Sequence, residues 1–199
     1  MSIVAELTET TTTSLTDIPR RKFTIAEYHS LIESGVVRPE ERIELWKGEL
    51  IDMSPIGKRH IACVNFLLDR LKDLLGKKVI VSVQNPIVLS DQSEPQPDIS
   101  LLKRRDDFYR SATATGDDTL LVIEVSDTSS RYDREVKLPG YAAAGIKEAW
   151  LVDLENDRVE IFTDPGPKGY RLVKILSHDE TAASTIFTEV QIAVDDLLD

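Results

Sequence analysis

Glu124 lies inside Leu121-Val122-Ile123-Glu124-Val125, a run that is otherwise apolar. An ionised carboxylate in such a run costs several kcal/mol unless it is paired or bound to a cation. Two readings stand side by side: a strand end where Glu124 turns to solvent or meets an arginine, and a metal ligand at the carboxyl end of a central strand, where α/β sheets place their sites. Asp98 follows Pro97, and by itself that pair reads as a turn. Two carboxylates on neighbouring strands make a hard oxygen site suited to Mg²⁺ or Mn²⁺. Lys137 stands four residues after Asp133 and four before Tyr141, so the three share one helix face. That trio is either a surface ion pair with a packing tyrosine, or an ammonium aimed at the two carboxylates. In the second case it would orient water or stabilise charge developing on a phosphate.

The elements that must position these groups are legible along the chain. Thr24 and Glu27 fit a capping box for a first short helix that stops at Gly35. Arg42–Trp46 and Glu49–Met53 flank Lys47-Gly48 as a hairpin, with Ile43 and Leu45 on one face and Glu44 and Trp46 on the other. Ile61, Val64, Leu67, Leu68, Leu71 and Leu75 make the apolar stripe of a longer helix over 57–75, ended by Gly76. Residues 79–83, 86–89 and 97–102 read as β-rich runs, and 119–125 as a central strand covered on both faces. A helix over 131–144, a hairpin of 149–152 with 158–162, a strand over 170–176 and a short terminal segment over 194–198 complete the order. This is an α/β or α+β domain with a mixed central sheet. Residues 1–22, with their run of threonines, are expected to be a disordered polar tail, and 23–199 a single domain.

Composition narrows the classes. Of the 199 residues 41% are hydrophobic, enough for an ordinary core, and no apolar run approaches the roughly 20 residues of a membrane span. The first 20 residues lack the apolar block of a signal peptide, and the single cysteine, Cys63, excludes an internal disulfide and a multi-cysteine zinc site. A cytoplasmic location is expected. With 24 Lys+Arg against 35 Asp+Glu the net charge is −11, which opposes generic nucleic-acid binding.

The sequence resembles the restriction endonuclease family called Uma-two, a branch of the PD-(D/E)XK nuclease superfamily. The matching pieces are Glu44-Leu45 with Gly48-Glu49-Leu50, Met53-Ser54-Pro55, His60 and Gln96-Pro97-Asp98. They continue through Ile123-Glu124-Val125-Ser126, Asp133 with Lys137, Tyr141, Gly145 and Trp150-Leu151-Val152-Asp153, in an order that spans about 23–162. The resemblance implies a restriction-endonuclease-like core in which Asp98 and Glu124 are acidic metal ligands and Glu44 is a further acid from the first helix–hairpin region. In the simplest superfamily pattern a lysine follows two residues after the second acid. Here that position is Ser126, so Lys137 supplies the ammonium from the next helix. Implied with the family are Mg²⁺ or Mn²⁺, a DNA substrate and a symmetric homodimer.

Three functions compete: a metal-dependent DNA endonuclease with Glu44, Asp98, Glu124 and Lys137 catalytic; a non-catalytic nuclease-fold module for a protein or nucleic-acid partner; and a hydrolase of smaller phosphate esters. The acidic charge favours the module, whereas the complete carboxylate–lysine set favours the enzyme. His60 reads as a solvent-exposed residue at a helix start, with Lys58 and Arg59 beside it as phosphate contacts, and Gln96 as loop filler or a contact to metal-bound water. Lys103-Arg104-Arg105, followed at once by Asp106-Asp107, reads as a solvated loop. Asp127 to Ser130 reads as a helix entry with capping oxygens, and Cys63, Trp46 and Trp150 as buried apolar groups.

Overall fold

The computed structural model describes residues 19–38 and 40–198, so the first 18 residues of the expected tail lie outside the described residues. Helix α1 (Ile25–Glu33) opens on the expected capping box, with Thr24 Oγ1 accepting from the Glu27 amide and Glu27 reaching back to the Thr24 amide. Strands β1 (Ile43–Trp46) and β2 (Glu49–Asp52) pair antiparallel. Lys47 (φ 49°) and Gly48 (φ 77°) turn between them with the two positive φ angles of a tight hairpin. Helix α2 (Lys58–Leu75) follows, buries Val64, Leu67, Leu71 and Leu75, and ends at Gly76; Ile61, expected in the same stripe, is exposed instead.

A six-stranded sheet has the order β3-β4-β5-β6-β7-β8. Its strands are β3 (Val79–Val83), β4 (Ile99–Lys103), β5 (Thr119–Ser126), β6 (Glu148–Asp153), β7 (Arg158–Gly166) and β8 (Gly169–Leu176). Only β5 and β6 run parallel; every other neighbouring pair is antiparallel. The parallel step needs a crossover, supplied by α3 (Ser130–Tyr132), a π turn (Asp133–Lys137) and α4 (Leu138–Ala143), which run on as one helix. Two small strands, β9 (Thr181–Ala183) and β10 (Gln191–Ala193), and helix α5 (Asp195–Leu198) close the chain.

Alternation along β5 divides the interior. Leu121, Ile123 and Val125 join one apolar cluster with Leu67 and Leu71 of α2, while Val122 joins the other with Trp46, Leu138 and Tyr141. Glu124 shares the parity of Val122, so it faces the hairpin and the crossover helix. One expectation fails: the run 86–89 is not a strand, because after β3 the chain leaves the ladder and Val88 makes only an isolated bridge to Thr115. The helix expected over 131–144 forms, but its ladder is widened at the π turn, in which the Leu138 amide donates to the Asp133 carbonyl. Pro139 has no N–H for the next α-helical bond and its ring crowds the carbonyl four residues back, which breaks the regular ladder there.

Candidate active site

Four of the strongest sequence candidates line one pocket of about 560 Å³: Glu44 from β1, Asp98 at the entrance to β4, Glu124 near the end of β5 and Lys137 from the π turn. Asp133, Tyr132 and His60 line it too. The bland readings of Glu124 and Lys137 fail on burial: Glu124 is 3% exposed and Lys137 4%. Lys137 Nζ lies 3.3 Å from Glu44 Oε2, 3.3 Å from Glu124 Oε1 and 3.9 Å from Asp133 Oδ1.

Close approach of hairpin and helix makes this contact possible. Trp46, two residues after Glu44, packs under α4 where Gly140 has no side chain; a Cβ there would fall 2.5 Å from the indole. The Trp46 and Tyr141 rings meet edge to face at 6.1 Å. Each acidic group is further fixed by donors. Glu44 accepts from the Gln96 amide at 3.2 Å and from the Tyr132 hydroxyl at 3.3 Å. Glu124 accepts from the Tyr141 hydroxyl at 2.5 Å. Asp98 accepts from the Val125 amide on one oxygen at 2.9 Å, and on the other from Gln84 Nε2 at 3.1 Å, with His60 Nε2 at 2.9 Å. Ser126 Oγ and Ser129 Oγ lie 3.0 Å apart, and Ser129 donates to Asp133 at 2.8 Å.

His60 corrects the sequence reading. It is 8% exposed rather than solvated, and pairs with Asp98. Its position on the third residue of α2 places it below the helix entrance, and only the three-dimensional packing of α2 on β4 reveals the partner. Ser129 does not cap its helix with its side chain but holds Asp133. Gln96 contributes its backbone amide to Glu44. Arg59 is spent on the carbonyls of Leu154 and Leu198 and on Asp157. Of the basic stretch read as a loop, Lys103 is the last residue of β4, while Arg104 and Arg105 follow it outside the strand, with Arg105 paired to Asp107. Cys63, Trp46 and Trp150 are buried as expected.

One ammonium does not offset the burial of both Glu124 and Asp133. Burial pushes the Glu124 carboxyl up to about 8, a shift that Asp133 and Asp98 add to and Lys137 only partly offsets. Burial likewise raises Asp133 against the pull of Lys137 and Ser129. Lys137 behaves in the opposite sense: burial disfavours its charge, but Glu124, Glu44 and Asp133 outweigh it and hold it above the usual lysine range. These directions are compatible, because Lys137 has several acidic neighbours whereas Glu124 shares its one cation. Asp98 is buried too, yet hydrogen bonds from His60, Val125 and Gln84 hold it below the usual carboxylate range.

Among the described residues no group of three His, Cys, Asp or Glu side chains converges as a formed ion-binding cluster. The donor chemistry nonetheless fits a hard divalent cation. Asp98 and Glu124 offer carboxylate oxygens into one pocket, and the single ammonium beside Glu124 does not offset its burial.

A solved structure titled a putative nuclease belonging to DUF820, from Anabaena variabilis ATCC 29413, is similar to this chain with a TM-score of 0.70 and 16% identity. The match covers 88% of this chain and 97% of that one, and at this identity it shows the fold. No curated protein matches the sequence. The family model described as Uma2, putative restriction endonuclease, matches residues 25–195, which takes in every residue of the pocket, and the chain belongs to the Uma2 family.

Proposed function

We propose that this protein is a nuclease, a divalent-metal-dependent DNA endonuclease that hydrolyses phosphodiester bonds. The observation that carries the reading is Lys137, buried at 3.3 Å from both Glu44 and Glu124 in the pocket that also holds Asp98. The family and the nuclease title of the structural neighbour support the same reaction class.

Asp98 and Glu124, assisted by Glu44, would hold Mg²⁺ or Mn²⁺. Bound there, such an ion supplies Lewis-acid polarisation of the scissile phosphate and a water of lowered pKa. The chain's own groups do the rest. His60, Gln84 and the Val125 amide keep Asp98 ionised and fixed in direction, and the Tyr141 hydroxyl fixes one oxygen of Glu124 in direction. Lys137 presents positive charge where the phosphate oxygens gain charge in the transition state. The attacking water sheds one proton to solvent as its oxygen forms the new bond to phosphorus, the opposite phosphorus–oxygen bond breaks, and the leaving oxygen takes up a proton from solvent. Two copies acting as a symmetric dimer would cut both strands, and a cytoplasmic setting suits the single cysteine.

The test is cleavage of plasmid and single-stranded DNA with Mg²⁺ or Mn²⁺ by the wild type, Asp98→Ala and Glu124→Ala. Loss of activity in both variants is expected, and calorimetric titration of Mg²⁺ should give an isotherm that Asp98→Asn with Glu124→Gln abolishes. Cleavage that survives both alanine substitutions would overturn the assignment. No cleavage and no ion binding by the wild type would favour the non-catalytic module, the reading to which the net charge of −11 points.

A further inference from the structure

A second set of buried charges lies on the far side of the π turn and lines no part of the pocket. Asp153 at the end of β6 is 0% exposed and Glu160 on β7 is 2%. Carboxylates so deeply placed need cations with good geometry, and Arg134 provides it. Its Nε and Nη2 donate to the two oxygens of Glu160 at 3.1 and 2.7 Å, and Nη2 donates to Asp153 at 2.8 Å. Asn156 Nδ2 donates to Asp153 at 3.0 Å. Arg158 Nε lies 2.9 Å from Glu160 and 3.3 Å from Asp153, close enough to pair in charge but not aligned to donate.

Arg134 is the second residue of the π turn, and Asp133 and Lys137 are its first and last. A π turn is an uncommon distortion that persists where surrounding contacts determine it. Pro139 accounts for the break in the α-helical ladder but not for the direction in which the widened turn settles. Two attachments determine that. On the pocket side Ser129 holds Asp133. On the sheet side the forked guanidinium of Arg134 is fixed in a plane by two carboxylates on adjacent strands, a geometry that a lysine would not reproduce. Asp153 pairs in register with Ser126 of β5, so the anchor joins the strand beside the one that carries Glu124.

We propose that Arg134 is a positioning residue for Lys137: its ion pairs with Asp153 and Glu160 fix the π turn so that the ammonium falls between Glu44 and Glu124. The kinetic part rests on the nuclease reading; the structural part does not.

The experiment therefore has two readouts. The first is limited acylation of lysines in the full chain, followed by mass spectrometry, with thiol labelling of Cys63 alongside. Lys137 is buried and charged, and Cys63 is 4% exposed on the opposite face of the sheet, where burial pushes its thiol up to about 12. In the wild type both should stay unmodified while exposed Lys168 reacts. In Arg134→Ala, acylation of Lys137 should rise at least about tenfold while Cys63 stays protected, and Arg131→Ala, which removes an exposed guanidinium one turn away, should change neither. Continued protection of Lys137 in Arg134→Ala overturns the proposal. Joint exposure of Lys137 and Cys63 also overturns it, because Arg134 would then support the fold in general. If Arg134→Ala does not fold, Arg134→Gln with Glu160→Gln removes the clamp without leaving the Glu160 charge unpaired and carries the same criteria.

The second readout is kinetic. Misplacing a catalytic group by about 1 Å costs on the order of 100-fold in rate, so kcat should fall on that scale in Arg134→Ala with KM within about twofold. In a Lys137→Ala background the same substitution should cost nothing further, whereas a full additive loss overturns the proposal. A wild type that cleaves nothing would sink the nuclease reading and leave the labelling result to decide on Arg134.

Discussion

Glu124→Gln should separate the charge of this carboxyl from its shape. Folded Glu124 keeps its proton up to about pH 8, whereas its ordinary value is 4.5. Between these values folding takes up about one proton, so the contribution to stability is fully present below pH 4.5 and is lost as pH rises through 8. The slope is about 1.4 kcal/mol per pH unit, or about 4 kcal/mol between pH 5 and 8, as an upper figure before neighbouring groups relax. Glutamine fills the same space and cannot ionise. Urea unfolding at intervals from pH 5 to 9 should therefore find the two proteins similar in acid and the Gln variant more stable in alkali, by about 2–4 kcal/mol. The contribution of Asp133, raised in both, cancels in the difference. Added Mg²⁺ should flatten the wild-type slope and leave the variant unchanged, since a cation that favours the ionised carboxylate removes the proton uptake. Parallel pH profiles for the two proteins would refute the reasoning, because they would mean that Glu124 is ionised throughout.

Two further outcomes follow from other parts of the site. Gly140→Ala puts a methyl group 2.5 Å from the Trp46 indole; overpacking of this kind costs about 1–3 kcal/mol, only partly offset by the better helix propensity of alanine. Its melting temperature should fall and its tryptophan emission shift, and an unchanged melting temperature would show that β1 yields without cost. Arg42 and Arg131 line the pocket. If they meet phosphates, Arg131→Ala should lower the slope of log affinity against log salt for DNA by about 0.9, measured by fluorescence anisotropy, and an unaltered slope would exclude that contact.

The elements of this fold are written locally, and most were legible. The capping box of α1, the Lys47-Gly48 turn and the stripe of α2 each depend on neighbours within a few residues. Glu124 and Lys137 were legible for a different reason: a charge in an apolar run demands a partner, and repeated spacing suggested where one could lie. What escaped depends on distant pairings. His60 carries no local sign of burial, since aliphatic positions define the helix stripe and its partner Asp98 is 38 residues away. The strands β9 and β10 are three residues each, too short for alternation to register. Arg134, Asp153 and Glu160 look like ordinary surface charges until the β6–β7 pair and the crossover helix are packed together.

Pro139 is the instructive case, because its signal is local. A proline inside a helical pattern argues for a kink, yet the helix over 131–144 reads straight through it. The lysine spacing that suggested one helix face assumes a regular 3.6-residue turn, and Lys137 and Asp133 remain neighbours at 3.9 Å although the turn between them is a π turn. The contact thus persists for a different geometrical reason. The widened turn sends Arg134 to the sheet and keeps both pocket residues on the pocket side, with Tyr141 following from α4 onto Glu124. Replacing Pro139 alone would restore a backbone donor at that point and favour a regular helix, whose residues would then be rotated relative to Glu44 and Glu124. The proline is thereby tied to the site through backbone geometry, although its own side chain carries no chemistry.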